Sequence, residues 1–215
     1  DEKQDHSNDE GWMLFFHPDL IRTTVLGETI DEYSFFSYES NEALHLSDQE
    51  KKIIYDCVKN IELEYNTNID ELSRDLFVSN LQLMLNYCRR FYNRQFRTRT
   101  TQQKDVVSAF EKNLKTYFRS EDLSNIGQPS VHYFAERAHL SPNYLSDLLK
   151  KETGKNIKEH INDTIVNLAK TQLLNSSNSV SEIAYSLGFN YPHYFSRMFK
   201  SQTGFTPAKY RESIN

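Results

Sequence analysis

The last third of this 215-residue chain carries one helical pattern twice, and that duplication constrains the fold more than any other feature. The first copy opens at Phe134-Ala135 and continues as Leu140-Ser141-Pro142-Asn143-Tyr144-Leu145-Ser146-Asp147-Leu148-Leu149-Lys150-Lys151-Glu152-Thr153-Gly154. The second opens at Ile183-Ala184 and continues as Gly188-Phe189-Asn190-Tyr191-Pro192-His193-Tyr194-Phe195-Ser196-Arg197-Met198-Phe199-Lys200-Ser201-Gln202-Thr203-Gly204. Ala135 falls on Ala184; after one extra residue in the second turn, Tyr144 falls on Tyr194, Lys150 on Lys200 and Gly154 on Gly204. Each copy reads as a helix, a turn and a second helix. A pair of such units suits two adjacent grooves on one face of a DNA duplex.

Local signals set the expected helix ends. Ser141 is placed to cap a helix that Pro142 opens, where a missing N–H does no harm. Ser179 with Glu182 forms a capping box, Gly188 a left-handed stop, and Pro192 opens the next helix. Thr206-Pro207 caps a short final helix through Arg211. Between the copies, Asn156 to about Leu174 reads as one amphipathic helix of roughly 19 residues, about 28 Å long. Successive major grooves on one face lie about 34 Å apart, so this helix serves as a stiff spacer between two recognition helices. The expected fold is mainly α, with a tandem helix-turn-helix of about seven helices over residues 128–215.

Residues 47–120 read as a helical linker with a dimerisation hairpin. Ser47 and Glu50 form a capping box ahead of an apolar stripe through Ile53, Ile54, Cys57, Val58, Ile61 and Leu63. A second helix is expected from near Asp70 to about Phe91. Its Leu76, Leu81, Met84 and Leu85 supply core packing or, in addition, a dimer seam. Arg89, Arg90, Arg94, Arg97 and Arg99 follow it and either complement the helix dipole or contact DNA. Val106 to Phe118 reads as a further helix and Leu123 to Pro129 as a linker. Residues 1–46 are less regular. Trp12 to Phe16, stopping before His17-Pro18, reads as a buried strand, and Tyr33 to Tyr38 as a second aromatic cluster. They form a short β remnant of an N-terminal domain or segments that pack on the helices.

The formal charge of −5 is unevenly spread. From Gln128 onward ten Lys/Arg face seven Asp/Glu, a balance of +3, which leaves −8 for the rest. That asymmetry favours a basic working face in the duplicated region. Cys57 and Cys88 sit in helical patterns without a ligand set and read as plain buried thiols in a reducing compartment. No apolar run approaches the ~20 residues that span a bilayer, and Asp1 to Glu10 is too polar for a signal peptide, so a cytoplasmic location is expected. The chain does not open on methionine, so an upstream segment can precede it.

Apolar residues of the recognition helices, Leu145, Leu148 and Leu149, then Phe195, Met198 and Phe199, are expected in the core. What remains faces the groove: Asn143, Ser146 and Asp147 in the first helix, and Tyr191, His193, Ser196 and Arg197 in the second. Arg197 can grip a guanine edge with its planar fork or hold a phosphate. Asn143 can pair with adenine or cap its own helix, and Asp147 can accept from cytosine or orient a neighbouring base. Lys150, Lys151, Lys155 and Lys200 are phosphate partners or solvated surface charges. No catalytic residue, cofactor or metal is expected: His6, His17 and His45 have no ligand spacing. The rival readings are a helical protein-interaction module without DNA binding and, more distantly, a metal-dependent enzyme through the N-terminal part.

These residues resemble the AraC/XylS family of bacterial transcription regulators. The resemblance rests on Ser141-Pro142-Asn143-Tyr144-Leu145-Ser146, Lys150-Lys151-Glu152-Thr153-Gly154, Ala169-Lys170-Thr171-Gln172-Leu173-Leu174, Ile183-Ala184 through Gly188-Phe189, Tyr194-Phe195-Ser196-Arg197-Met198-Phe199-Lys200 and Gly204-Phe205-Thr206-Pro207-Ala208-Lys209-Tyr210-Arg211. It covers about 85 residues. Thr164 stands where the family usually has Arg, Leu149 replaces a usual Phe, and Pro192-His193 replaces a polar-Ser pair. The resemblance implies promoter DNA and RNA polymerase as partners, a homodimer, and a cupin-like sensor domain whose tail residues 1–46 resemble. It implies a small-molecule effector only where the rest of that sensor is present.

Overall fold

The computed structural model describes residues 12–98, 100–120 and 123–212. Among the described residues it holds eleven α-helices and no strand. Two compact units divide the chain, one made of residues 1–33 and 46–89, the other of residues 34–45 and 90–215.

In the first unit, α1 (Val25–Thr29) is flanked by 3-10 turns at Pro18–Leu20 and Ile30–Glu32, and α2 spans Asp48–Tyr65. The expected capping box starts α2: Ser47 N–H donates to the Glu50 carboxylate at 2.8 Å, and Glu50 N–H to the Ser47 hydroxyl at 3.4 Å. α3 (Ser73–Thr98) runs longer than its sequence pattern suggested at both the expected Phe91 stop and the basic cluster, so Arg94 and Arg97 lie inside the helix; Arg99 lies outside the described residues. The hairpin is antiparallel, with Asn60 donating to Asn80 and Ser73 bonded to Glu64. Ile54, Cys57, Val78, Leu81, Met84 and Leu85 are buried in it. Arg74 ties down the loop before α1, donating to the Leu20 carbonyl at 3.1 Å and the Thr23 hydroxyl at 2.9 Å. Gly27 is needed there, because a Cβ would stand 2.1 Å from the Ile21 carbonyl oxygen.

Among the described residues the β remnant expected near the N-terminus is not formed. Residues 12–16 have no regular structure, and Ser34–Ser37 is a 3-10 turn. Two aromatic pieces have no partner strand to close a ladder, so side-chain packing decides their backbone.

The second unit is built around the duplication. α4 (Thr100–Ser120) and α5 (Leu123–Ile126) precede α6 (Val131–Ala138), α7 (Pro142–Thr153), α8 (Ile157–Asn175), α9 (Val180–Ser186), α10 (Pro192–Thr203) and α11 (Pro207–Glu212). Within residues 128–212 there are six helices, α6 to α11, one fewer than the seven expected; α5 lies before them, in what read as a linker. The turn geometry repeats: Leu140 N–H donates to Ala135 O at 3.0 Å, and Phe189 N–H to Ala184 O at 3.0 Å. The left-handed residue of the first turn is His139, φ 54°, where the second has Gly188, φ 79°. One core joins the halves. Phe134, Leu145, Leu149, Ile165, Ala169, Ile183, Phe195 and Phe199 are all in it. Phe110 and Leu114 of α4 join them, so α4 is part of this domain's core and not only a linker.

Candidate nucleic-acid interface

α8 packs against both α7 and α10, and its 19 residues match the expected spacer. Its start carries a capping box, Asn156 with Glu159, and its end is held by Arg211 from α11. Arg211 Nε donates to the Leu173 carbonyl at 2.9 Å and a terminal nitrogen to the Asn178 carbonyl at 2.6 Å. This clamp orders the last carbonyls of a helix, which have no partner within it. Near the other end, His160 Nε2 lies 2.8 Å from the Thr153 hydroxyl, and burial lowers the imidazole pKa. Thr164, in the place of a usual Arg, bonds back to the His160 carbonyl at 2.9 Å.

The second recognition helix is open. Phe195 and Phe199 are buried, Met198 half-buried, and Tyr191, His193, Tyr194 and Arg197 exposed, with Ser196 between the two classes. The His193 and Tyr194 rings lie 4.2 Å apart, and the Arg197 guanidinium sits 5.4 Å over the Tyr194 ring. An arginine on an aromatic face keeps its planar fork outward, a geometry suited to a base edge or a phosphate. Sequence reasoning left Tyr194 out of this set, although its place in the duplicated pattern marked it.

The first recognition helix differs. Leu145, Leu148 and Leu149 are buried as expected, and Asn143 and Lys150 are exposed. Ser141 is 2% exposed and Tyr144 5%, whereas their counterparts Tyr191 and Tyr194 are 59% and 49% exposed. The difference comes from residues 34–45 and the last turns of α3. Tyr38 and Phe96 hold the Tyr144 ring, with centroids at 5.1 and 5.0 Å. Asp147 accepts from the Ser34 hydroxyl at 2.5 Å and the Tyr38 hydroxyl at 2.7 Å. Burial, with the Asp147 carboxylate adding to it, pushes the Tyr38 phenol well above its ordinary value, so it remains a donor. Glu42, 1% exposed, accepts from Ser141 N–H at 2.5 Å, from the Ser141 hydroxyl at 2.6 Å and from Glu39 N–H at 2.8 Å.

The expected phosphate partners are scattered in state. Lys150 and Lys200 are exposed near helix ends and Lys151 is half-buried. Lys155 is engaged by Asp163 at 2.6 Å, which raises its pKa. Of the residues considered for a dimer seam, Leu81, Met84 and Leu85 are buried within the single chain, and Leu76 remains 47% exposed. Cys57 is buried and Cys88 half-buried; neither is in a disulfide, and burial pushes the Cys88 thiol up to about 11. Among the described residues no cluster of His, Cys, Asp or Glu could hold a metal; His6 lies outside them. No helix of the described residues is long and apolar enough to cross a membrane.

A family model described as a helix-turn-helix domain matches residues 134–213. The chain is 31% identical over 132 residues to an uncharacterized HTH-type transcriptional regulator of Escherichia coli K12, YijO, covering 61% of this chain and 44% of that protein. It is 30% identical over 107 residues to the HTH-type transcriptional activator RhaR of Yersinia pseudotuberculosis, covering 50% and 33%. Among solved structures, the C-terminal domain of the response regulator AraT from Geobacillus stearothermophilus is 28% identical, with a TM-score of 0.45, covering 50% of this chain and 84% of that one. The chain thus spans less than half the length of these two curated relatives. Residues 134–213 match a helix-turn-helix domain, and both curated relatives are HTH-type transcriptional regulators.

Proposed function

We propose that this chain is a non-enzymatic, cytoplasmic transcription regulator that reads promoter DNA with α7 and α10 in successive major grooves. The observation that carries the reading is the polar and aromatic face of α10, Tyr191, His193, Tyr194 and Arg197, exposed on a helix whose other face is buried. Asn143, Ser146 and Asp147 would read the first groove, with Lys150, Lys151 and Lys200 on phosphates. An α8 of 19 residues is about 28 Å long, close to the groove repeat of about 34 Å. Selection of bound duplexes from a random pool tests this. A recovered site with two half-sites about one helical turn apart is expected, with log affinity falling against log salt by about 0.9 per phosphate neutralised. Equal binding to scrambled duplex under competition would remove the specificity.

A homodimer through the α2–α3 hairpin fits the same reading, with its seam on Leu76 and Leu83, both exposed and seven positions apart on one face. Leu81, Met84 and Leu85 would then support the seam from the core beneath. Leu76→Lys with Leu83→Lys should turn the dimer into a monomer in sedimentation equilibrium. RNA polymerase as a further partner, residues 1–46 as the tail of a cupin-like sensor, and an effector bound by the rest of that sensor belong to this reading too.

A further inference from the structure

We infer that residues 34–45 are an intramolecular mask, which occupies the first recognition helix and must leave it before that helix can enter a groove. The inference rests on the DNA-reading role of α7. The duplication supplies its own control: the same two positions are covered in α7 and open in α10. Each mask contact takes something a duplex would need. Glu42 brings a carboxylate to the backbone N–H and hydroxyl of Ser141, at a helix start that otherwise suits a phosphate oxygen. Ser34 and Tyr38 both donate to Asp147 Oδ2, and Tyr38 packs on the Tyr144 ring.

The mask is built for reversibility. Its grip on α7 is a few directed hydrogen bonds and the Tyr38–Tyr144 ring contact, and its backbone is two 3-10 turns, Ser34–Ser37 and Ser40–Glu42, with no ladder to break. The chain on either side of it, at Tyr33 and Leu46, belongs to the other compact unit, while its C-terminal end is also tied to α3 within its own unit, His45 N–H donating to Gln95 at 2.8 Å and Arg94 to the His45 carbonyl at 2.7 Å. A change of state in the other unit can therefore draw on the mask through the chain itself. While the mask is seated, α10 alone offers an open reading face. The apparent affinity for a two-groove site is then the intrinsic affinity reduced by the fraction of chains with the mask off.

The full chain tests this with Ser34→Ala/Tyr38→Phe, which removes the donors to Asp147 and keeps both the Tyr38 ring and the Glu42 cap. The probe is a duplex recovered from a random pool with that variant, read by anisotropy and hydroxyl-radical footprinting, with thermal unfolding as the check on folding. The variant should bind at least about tenfold tighter than the parent, with protection extending from one major groove to two. Equal affinity and equal footprints in two well-folded proteins would overturn the mask and leave DNA binding standing. Failure of both proteins to bind any duplex would overturn both readings. Hydrogen exchange on the unaltered chain gives a result even where the variant is unstable. Adding duplex should protect α7 side-on while exposing the Glu39 and Glu42 amides, and a mask still protected in the complex would sink the proposal.

Discussion

The Glu42 carboxylate closes over the N-terminus of α7, with Oε1 2.5 Å from the Ser141 nitrogen and Oε2 2.6 Å from its hydroxyl. A buried carboxylate is tolerated there because it accepts three hydrogen bonds beside the positive end of a helix. Glu42→Ala would leave the buried Ser141 donors unmet and should cost about 2–3 kcal/mol in urea unfolding. A loss below about 0.5 kcal/mol would mean that water replaces the carboxylate freely.

Arg197 and Lys200 should separate in their effects on DNA. Arg197→Ala should cost about 1–3 kcal/mol at one base pair and relax preference there. Lys200→Ala should weaken all duplexes alike and lower the salt slope by about 0.9. Competition against single-base variants of a selected site, repeated across salt, distinguishes them; an unchanged preference in Arg197→Ala would make that residue a phosphate contact.

The Arg211 clamp on α8 predicts a stability effect remote from any DNA contact. Arg211→Ala removes two charge-assisted bonds to the Leu173 and Asn178 carbonyls and should cost about 1–2 kcal/mol. Arg211→Lys should recover part of that, since an ammonium reaches one carbonyl more readily than two. Thermal unfolding of the three proteins ranks them.

Turn positions that look alike in sequence should respond unequally. At Gly188 a Cβ would meet the backbone of Gly127, Leu123 and Gln128 at 3.0–3.1 Å, whereas at Gly154 and Gly204 it meets nothing within 4 Å. All three have a φ near 80°, so each Gly→Ala should cost about 1 kcal/mol in backbone strain. Gly188→Ala should cost clearly more than the other two by denaturant titration. His139→Gly, at the matching left-handed position of the first turn, should relieve strain rather than add it.

Acid should weaken the helix-turn-helix domain through His160. Burial holds this imidazole below its ordinary 6.5, with Lys155 acting the same way and Asp163 opposing. Below 6.5 the unfolded chain therefore binds more protons than the folded one. The His160 contribution is flat above that value and turns unfavourable as pH falls through it. The melting temperature should drop between pH 7.5 and 5.5, and His160→Gln should flatten the drop in calorimetric scans.

Helix ends and the spacer were legible without coordinates, because each depends on neighbours three or four positions away. Ser47 with Glu50, Ser179 with Glu182, Pro142, Pro192 and Gly188 all act as their chemistry dictates. The inward faces of α7 and α10 followed from helical periodicity in the same way. What periodicity could not carry was long-range placement. The aromatic run at 33–38 reads equally well as a strand, and only its packing on α7 makes residues 34–37 a 3-10 turn. Tyr144 and Tyr194 share a residue type and a local frame, yet one is covered and the other open. That outcome is set by Tyr38 and Phe96, whose approach to α7 is a matter of tertiary packing between segments far apart in the chain, which no local pattern records.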